Sequence, residues 1–301
     1  MAQRGTTLNM NYLRKCDEIS GCGTTYPGDL KLCPKCNASN AFSSPAPVNP
    51  LDYAYDIETY PNIFTCRFVH IATDTRWRFE ISDRINQIEE FVSFVTSLKN
   101  CGGRGVGYNN VGFDYPVIHF IMNNQWVSHV EIYDRAMAII KSQGKDAWAY
   151  NVWDSDHIFP QLDLIMIWHY NKSNPITGTE PTSLKALEIA MRMDNVEDLP
   201  FELGVMLNHD EKEILHTYNL HDVIATIYFY VRSLGHIALR ESLSKKYDKN
   251  MINFSNTKIG GHILTSQLEK AGIQCYERID GRRRPRQTIR SSISLKDVIF
   301  D

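Results

Sequence analysis

The stretch Leu51-Asp52-Tyr53-Ala54-Tyr55-Asp56-Ile57-Glu58-Thr59 decides how this chain is read. Tyr53 to Ile57 is short and rich in aromatic and apolar residues, the composition of a buried strand. Two carboxylates close it, Asp56 and Glu58, and the period-two alternation of a strand puts both on one face. Two other acidic contexts follow: Asn109-Asn110-Val111-Gly112-Phe113-Asp114 and Tyr218-Asn219-Leu220-His221-Asp222. Asp114 opens a predicted helix, where the N-terminal dipole favours a charged carboxylate. Tyr218 and Asp222 are four apart on a predicted helix and share a face. Four carboxylates and a phenol suit two Mg2+ or Mn2+ ions, which prefer hard oxygen ligands. Two such ions about 4 Å apart can stabilise both oxygens of an in-line displacement at phosphorus. Each context alone carries little, because Asp-x-Glu is usually a surface pair and Tyr-x-x-x-Asp arises by chance. Their order, the first on a strand and the last in a long helix, carries the expectation.

Outward from Leu51 the pattern is α/β. Ile63 to Ile71 and Arg76 to Ile81 read as two more strands of a meander. Ile85 to Leu98 has helical spacing, with Ser82 or Asp83 as its expected cap. Gly105 to Tyr108 reads as a short strand, Tyr115 to Met122 and Val130 to Ser142 as helices, and Leu162 to Ile167 as an apolar strand. Ser183 to Met193 reads as a helix. A long helix is expected from His209 to Arg232 or beyond, started by the capping-box pair Asn208 and Glu211, with a further helix from Asn256 to Lys270. There is no internal repeat.

The 301 residues are 43% hydrophobic, enough for one large core or two smaller ones. No apolar run reaches membrane-spanning length and the N-terminus lacks a signal-peptide core, so the chain reads as cytoplasmic. The net charge of -3 hides an uneven distribution. Residues 1–50 carry net +2, 51–239 net -11 and 240–301 net +6. An acidic centre fits clustered metal ligands, and basic ends fit phosphate contacts.

Asp56 to Thr59, Asn109 to Asp114 and Tyr218 to Asp222 together resemble the three exonuclease motifs of the DEDD superfamily. The nearest likeness is to the 3′→5′ proofreading domains of phage-type family B DNA polymerases. Pro160 to Leu164, Ile167 to Tyr170, Thr182 to Glu188 and Asn253 to Gly260 agree with it, so the resemblance covers about 51–301. It implies a ribonuclease H-like mixed β-sheet flanked by helices over 51–240. It also implies DNA, through single-stranded 3′ ends, as the partner, with a polymerase or other replication protein beside it. Under the resemblance Asp56 bridges two Mg2+ or Mn2+ ions. Glu58 and Asp222 hold the ion that activates water, and Asp114 holds the second. Tyr218 orients the attacking water. The branch with a histidine five residues before the last aspartate does not fit, since Thr217 stands there. His216 and His221 are out of register and are expected on the helix surface. Asn109, Asn110 and Phe113 are expected at the terminal nucleotides, with Ile57 and Thr59 lining the same pocket. Ser183 and Leu184 are expected at single-stranded DNA, although Ser183 reads equally well as a plain helix cap.

Residues 1–44 read as a separate module, joined by the Pro-rich linker 45–50. Cys16, Cys22, Cys33 and Cys36 there, spaced x5, x10, x2, suit one structural Zn2+ in a zinc-ribbon-like fold. A disulfide pair or free thiols are the other readings. The extension 241–301 carries Arg282 to Arg286 and Arg290, either contacts for a nucleic-acid backbone or a solvated loop. Its apolar end, Leu295 to Phe300, is expected to lead into a polymerase region. No Tyr-x-Asp-Thr-Asp string for polymerisation is present. An RNA-trimming exonuclease and a non-catalytic nucleic-acid-binding module are the alternatives to a DNA exonuclease.

Overall fold

The computed structural model describes residues 48–124, 126–142, 149–168, 182–193 and 195–286, and the backbone of three short strands nearer the N-terminus. The chain divides into two compact units, 1–239 and 240–301. The four module cysteines, Arg290 and Leu295 to Phe300 lie outside the described residues.

In the first unit, strand β1 (Asp52–Tyr60) turns through Pro61 and Asn62 into β2 (Ile63–His70), and β3 (Thr75–Ser82) completes an antiparallel meander. Helix α1 (Ile88–Cys101) returns the chain to β4 (Arg104–Gly107), parallel to β1. Helices α2 (Asp114–Asn123) and α3 (His129–Ser142) lead to β5 (Gln161–Asp163), parallel to β4. The five strands lie in the order β3-β2-β1-β4-β5, a mixed sheet compatible with a ribonuclease H-like fold. Gln3–Arg4 adds two residues to the outer edge of β3, and Leu13–Lys15 pairs with Thr25–Pro27.

The central strand is buried on both faces, and its side chains divide the work. Tyr55 and Ile57 face a dry core with Phe64, Cys66, Phe68 and Phe79. Ile88, Phe91, Val95 and Leu98 of α1, Ile118 and Ile121 of α2, and Ile132 and Ala136 of α3 close that core. The other face meets α6 (His209–Tyr247). There Tyr60 and Ile63 pack on Leu207 and Leu215. The Tyr230 hydroxyl donates to Asp52 at 2.6 Å, and Arg104 grips the same buried carboxylate with two bonds of 2.7 Å. One aspartate thus joins β1, β4 and α6.

Three expectations need correction. The cap expected at Ser82 or Asp83 is absent. Ser82 ends β3, its hydroxyl donates to Glu80, and α1 begins only at Ile88 after Gln87. The apolar stretch Leu162 to Ile167 is a strand only to Asp163. There the carboxylate accepts the Ile165 N–H at 3.1 Å and turns the chain into the short helix α4 (Leu164–Trp168). His216 is not on the helix surface but fully buried, between Thr65 Oγ1 and the Glu80 carboxylate, at 2.8 Å from each. Burial would raise Glu80, but bonds from Arg84, His216 and Ser82 outweigh it and hold that carboxyl well below the usual range.

Helix α5 (Leu184–Met191) is capped by Ser183, whose Oγ accepts the Ala186 N–H at 3.1 Å. The α6 start is the expected capping box: Glu211 N–H donates to Asn208 Oδ1 at 3.0 Å, and Asn208 N–H to the Glu211 carboxylate at 2.7 Å. In the second unit α7 (Asn256–Lys270) is capped by Ser255. A two-stranded hairpin follows, β6 (Tyr276–Ile279) and β7 (Arg282–Pro285).

Candidate metal centre

β1 and β4 pair only over Asp52 to Ala54 of β1, and then separate. Past that point β1 keeps β2 on one side and, among the described residues, has no strand on the other. Asp56 and Glu58 stand in this opened part, opposite Arg67 and Thr65 of β2, on the face that meets α6. Sites of α/β sheets form where parallel strands part in this way. The freed Ile57 N–H is taken up by Asp114 Oδ1 at 3.1 Å. That bond draws the first residue of α2 against β1.

Asp114 is placed from a second side by Asp163. This buried carboxylate accepts the N–H groups of Asn109 at 2.8 Å and Val111 at 3.2 Å, so it holds the turn leading into α2. Asn109 takes a left-handed backbone there, φ 62°, which asparagine tolerates better than most residues. Gly107 lets the turn close: a Cβ on it would lie 2.5 Å from the Asn110 Cβ.

From α6, Asp222 completes the group. Ligand oxygens of Asp56, Glu58 and Asp222 all lie within 4.8 Å of one another. Asn219, fully buried on the same helix, donates Nδ2 to Asp56 Oδ2 at 2.7 Å, while its own Oδ1 has no partner among the described residues. Tyr218 hydrogen-bonds Asp222 one turn away. Burial and the repulsion of Asp114, Glu58 and Asp222 push Asp56 well above the carboxylate range. Burial, Asp222 and Asp114 do the same to Glu58. Asp114 is pushed up to about 7 by burial, less what the Ile57 N–H returns to it, and Asp222 to about 7 by burial and the neighbouring Glu188. Burial and the surrounding carboxylates raise the Tyr218 phenol, so it stays protonated at neutral pH.

Of the five predicted site residues, Asp56, Glu58 and Asp222 therefore gather in one group, Asp114 is tied to their strand through the Ile57 N–H, and Tyr218 stands one turn from Asp222 on α6. The donor set fits a hard divalent cation, with carboxylate oxygens at coordinating separations and a leftover buried amide oxygen beside them. The surroundings hold groups the sequence reading passed over. His221 is only 13% exposed, contrary to its expected surface place; its Nε2 meets the Glu188 carboxylate at 3.3 Å. Glu188, His221 and Asp222 also group within 4.8 Å. Glu188 follows buried Leu187 on α5, and that position on the inward face was the available signal. Asn219 could have been found the same way, lying between Leu215 and Val223 on the buried stripe of α6.

The residues expected at nucleotides divide. Asn109 and Ser183 are exposed, and Phe113 and Leu184 half-buried. Asn110 is fully buried, with Nδ2 spent on Tyr55 and Gln161 at 3.1 and 3.0 Å, and so leaves the contact set. Ile57 leaves it too, since its side chain belongs to the dry core. Thr59 is 7% exposed. No helix among the described residues is long and apolar enough to cross a membrane. Comparison with family models, with curated proteins and with solved structures finds no match to the chain.

Proposed function

We propose that the chain is a metal-dependent phosphodiesterase, a 3′→5′ exonuclease on DNA ends releasing nucleoside 5′-monophosphates. The observation that carries this is the convergence of Asp56, Glu58 and Asp222 within 4.8 Å, with Asp114 tied to the same strand through the Ile57 amide. Asp56, Glu58 and Asp222 would hold one Mg2+ or Mn2+, and Asp56 with Asp114 a second. Cations bound there supply positive charge that stabilises the attacking and leaving oxygens of an in-line displacement.

The chain's own groups do the rest. The protonated Tyr218 hydroxyl orients a water and does not take its proton. Asn219 fixes the rotamer of Asp56, and Asp163 fixes the turn that carries Asp114. Exposed Asn109 and half-buried Phe113 flank the start of α2 and are suited to the terminal nucleotide. The polarity and the preference for DNA rest on the resemblance of the three motifs, in this order, to proofreading exonucleases. The test is a 5′-labelled single-stranded DNA oligonucleotide incubated with Mn2+, and with EDTA as control, on a denaturing gel. The expected result is a ladder shortening from the 3′ end, lost in EDTA and in the Asp56→Ala, Glu58→Ala double variant. An intact oligonucleotide in Mn2+ would overturn the proposal.

A further inference from the structure

The hairpin β6–β7 in the second unit has a composition its own stability does not explain. Tyr276 to Arg286 holds five arginines against two acidic residues, net +3. Asp280 and Gly281 connect the strands, both at positive φ (51° and 73°), as in the tight two-residue turns that suit strand twist. That turn locks the register, and the register decides which arginines share a face.

Arg283 stands directly opposite Arg278, and Pro285 opposite Tyr276. Like charges directly across a strand pair are destabilising, and a two-stranded hairpin is marginal in water at best. Arg278, Arg282, Arg283 and Arg284 are all exposed. Arg284 has Glu277 across from it, and Arg283 reaches Glu269 of α7 only at 3.6 Å. On the Arg278 face the Arg283 guanidinium lies 3.9 Å from the centre of the Tyr276 ring, so a planar cation is stacked on an aromatic. Beside the Arg278–Arg283 pair this makes a flat platform next to two forked phosphate donors.

We infer that the Tyr276–Arg278–Arg283 face of this hairpin binds the sugar-phosphate backbone of single-stranded nucleic acid, as a contact surface additional to the metal centre. The choice of polyanion rests on the phosphodiesterase reading. The chemistry of the face agrees with it: an aromatic–guanidinium platform takes a base of any sequence, and paired arginines take phosphate. An anionic membrane is the poorer match, because Ile279 is the only large apolar side chain the two strands expose.

The test measures binding of fluorescein-labelled oligothymidylate to the full chain by anisotropy, in EDTA to prevent cleavage, across a range of KCl. Single-strand binding loses about 0.7 from its log–log salt slope for each phosphate contact removed. The Arg278→Gln, Arg283→Gln double variant is expected to have a slope shallower by about 1.4 and roughly tenfold weaker binding at low salt. The Arg278→Lys, Arg283→Lys variant keeps the charge and is expected to recover most of the slope. The Gln variant relieves a like-charge pair and loses the exposed Tyr276 and Glu269 contacts of Arg283, effects of opposite sign and similar size, so the melting temperature should stay near that of the native chain, which separates lost contact from lost fold. An unchanged slope and affinity in the Gln variant overturns the inference. So does unchanged oligonucleotide binding with lost binding to phosphatidylserine vesicles, which would make the face a lipid contact. Oligonucleotide cleavage in Mn2+ with an unaffected slope removes the hairpin surface alone. A shallower slope in a chain that cuts nothing supports the surface and removes the nuclease reading.

Discussion

Removing divalent cations should make the stability of this protein fall as pH rises. Asp114 and Asp222 sit at about 7 in the folded chain, against an ordinary 3.8. A carboxyl raised by folding binds its proton more tightly in the folded state than in the unfolded one. Its stabilising contribution is complete below the unfolded value and is lost as pH rises towards the folded value. For one carboxylate the interval from 3.8 to about 7 is worth roughly 4 kcal/mol at 1.36 kcal/mol per pH unit. Between pH 5 and pH 8 about 2.7 kcal/mol of that is lost, roughly 5–11 °C in melting temperature for a chain of this size. A cation at 100 times its dissociation constant would restore about 2.7 kcal/mol. His216, lowered by burial in the core, works in the opposite sense and adds stability as pH rises through the histidine range. The Asp222→Asn variant is therefore the proper reference, since it keeps His216 and removes one charge from the cluster. The assay is thermal unfolding between about pH 5 and pH 8, in EDTA and in Mn2+, for both proteins. The native chain in EDTA should lose stability across that window relative to the variant, and Mn2+ should level its curve. Parallel curves for the two proteins in EDTA, or an equal Mn2+ effect on both, would falsify the placement of these carboxylates around one cation.

Three other outcomes follow from the same geometry. Asp163→Ala leaves the N–H groups of Asn109, Val111 and Ile165 without their acceptor. A loss of about 2–4 kcal/mol in urea unfolding is expected, with weaker Mn2+ binding by calorimetry; unchanged Mn2+ affinity would show that the turn does not position Asp114. Tyr218→Phe should cut the rate of oligonucleotide cleavage by roughly 10²-fold while Mn2+ affinity stays near that of the native chain; an equal rate would remove the water-orienting role. Gly107→Ala drives a methyl group against the Asn110 side chain. It should cost about 1–3 kcal/mol of stability, and a neutral result would mean that the turn has room to move.

The sequence made the meander and the four carboxylates legible for a common reason. Alternation along β1 and one-turn spacing on α6 are local, and they act over two to four residues. What escaped depends on partners far away in the chain. His216 looks like a surface residue until Glu80, 136 residues away, and Thr65 close around it. Asp163 interrupts an apolar stretch that reads as one strand, and only the three N–H groups it collects reveal a turn. Ser82 has the marks of a helix cap, and its Oγ does accept the Arg84 and Ile85 N–H groups, but the turn it closes leads back to a bridge between Asn86 and Ile81 before α1 begins. Asn110 is polar and stands within an acidic motif, but its amide completes a buried triad with Tyr55 and Gln161.

The parting of β1 from β4 has a spectroscopic consequence. The Ile57 amide proton points at a carboxylate where a strand would normally offer a carbonyl. Carbonyls do not titrate and Asp114 does, so this one backbone resonance is wired to the charge of the centre. Its chemical shift should move as Asp114 ionises, and move again when a cation draws the carboxylate away. A single peak in a nitrogen–proton spectrum would then read both the protonation and the occupancy of the site, with no substrate present.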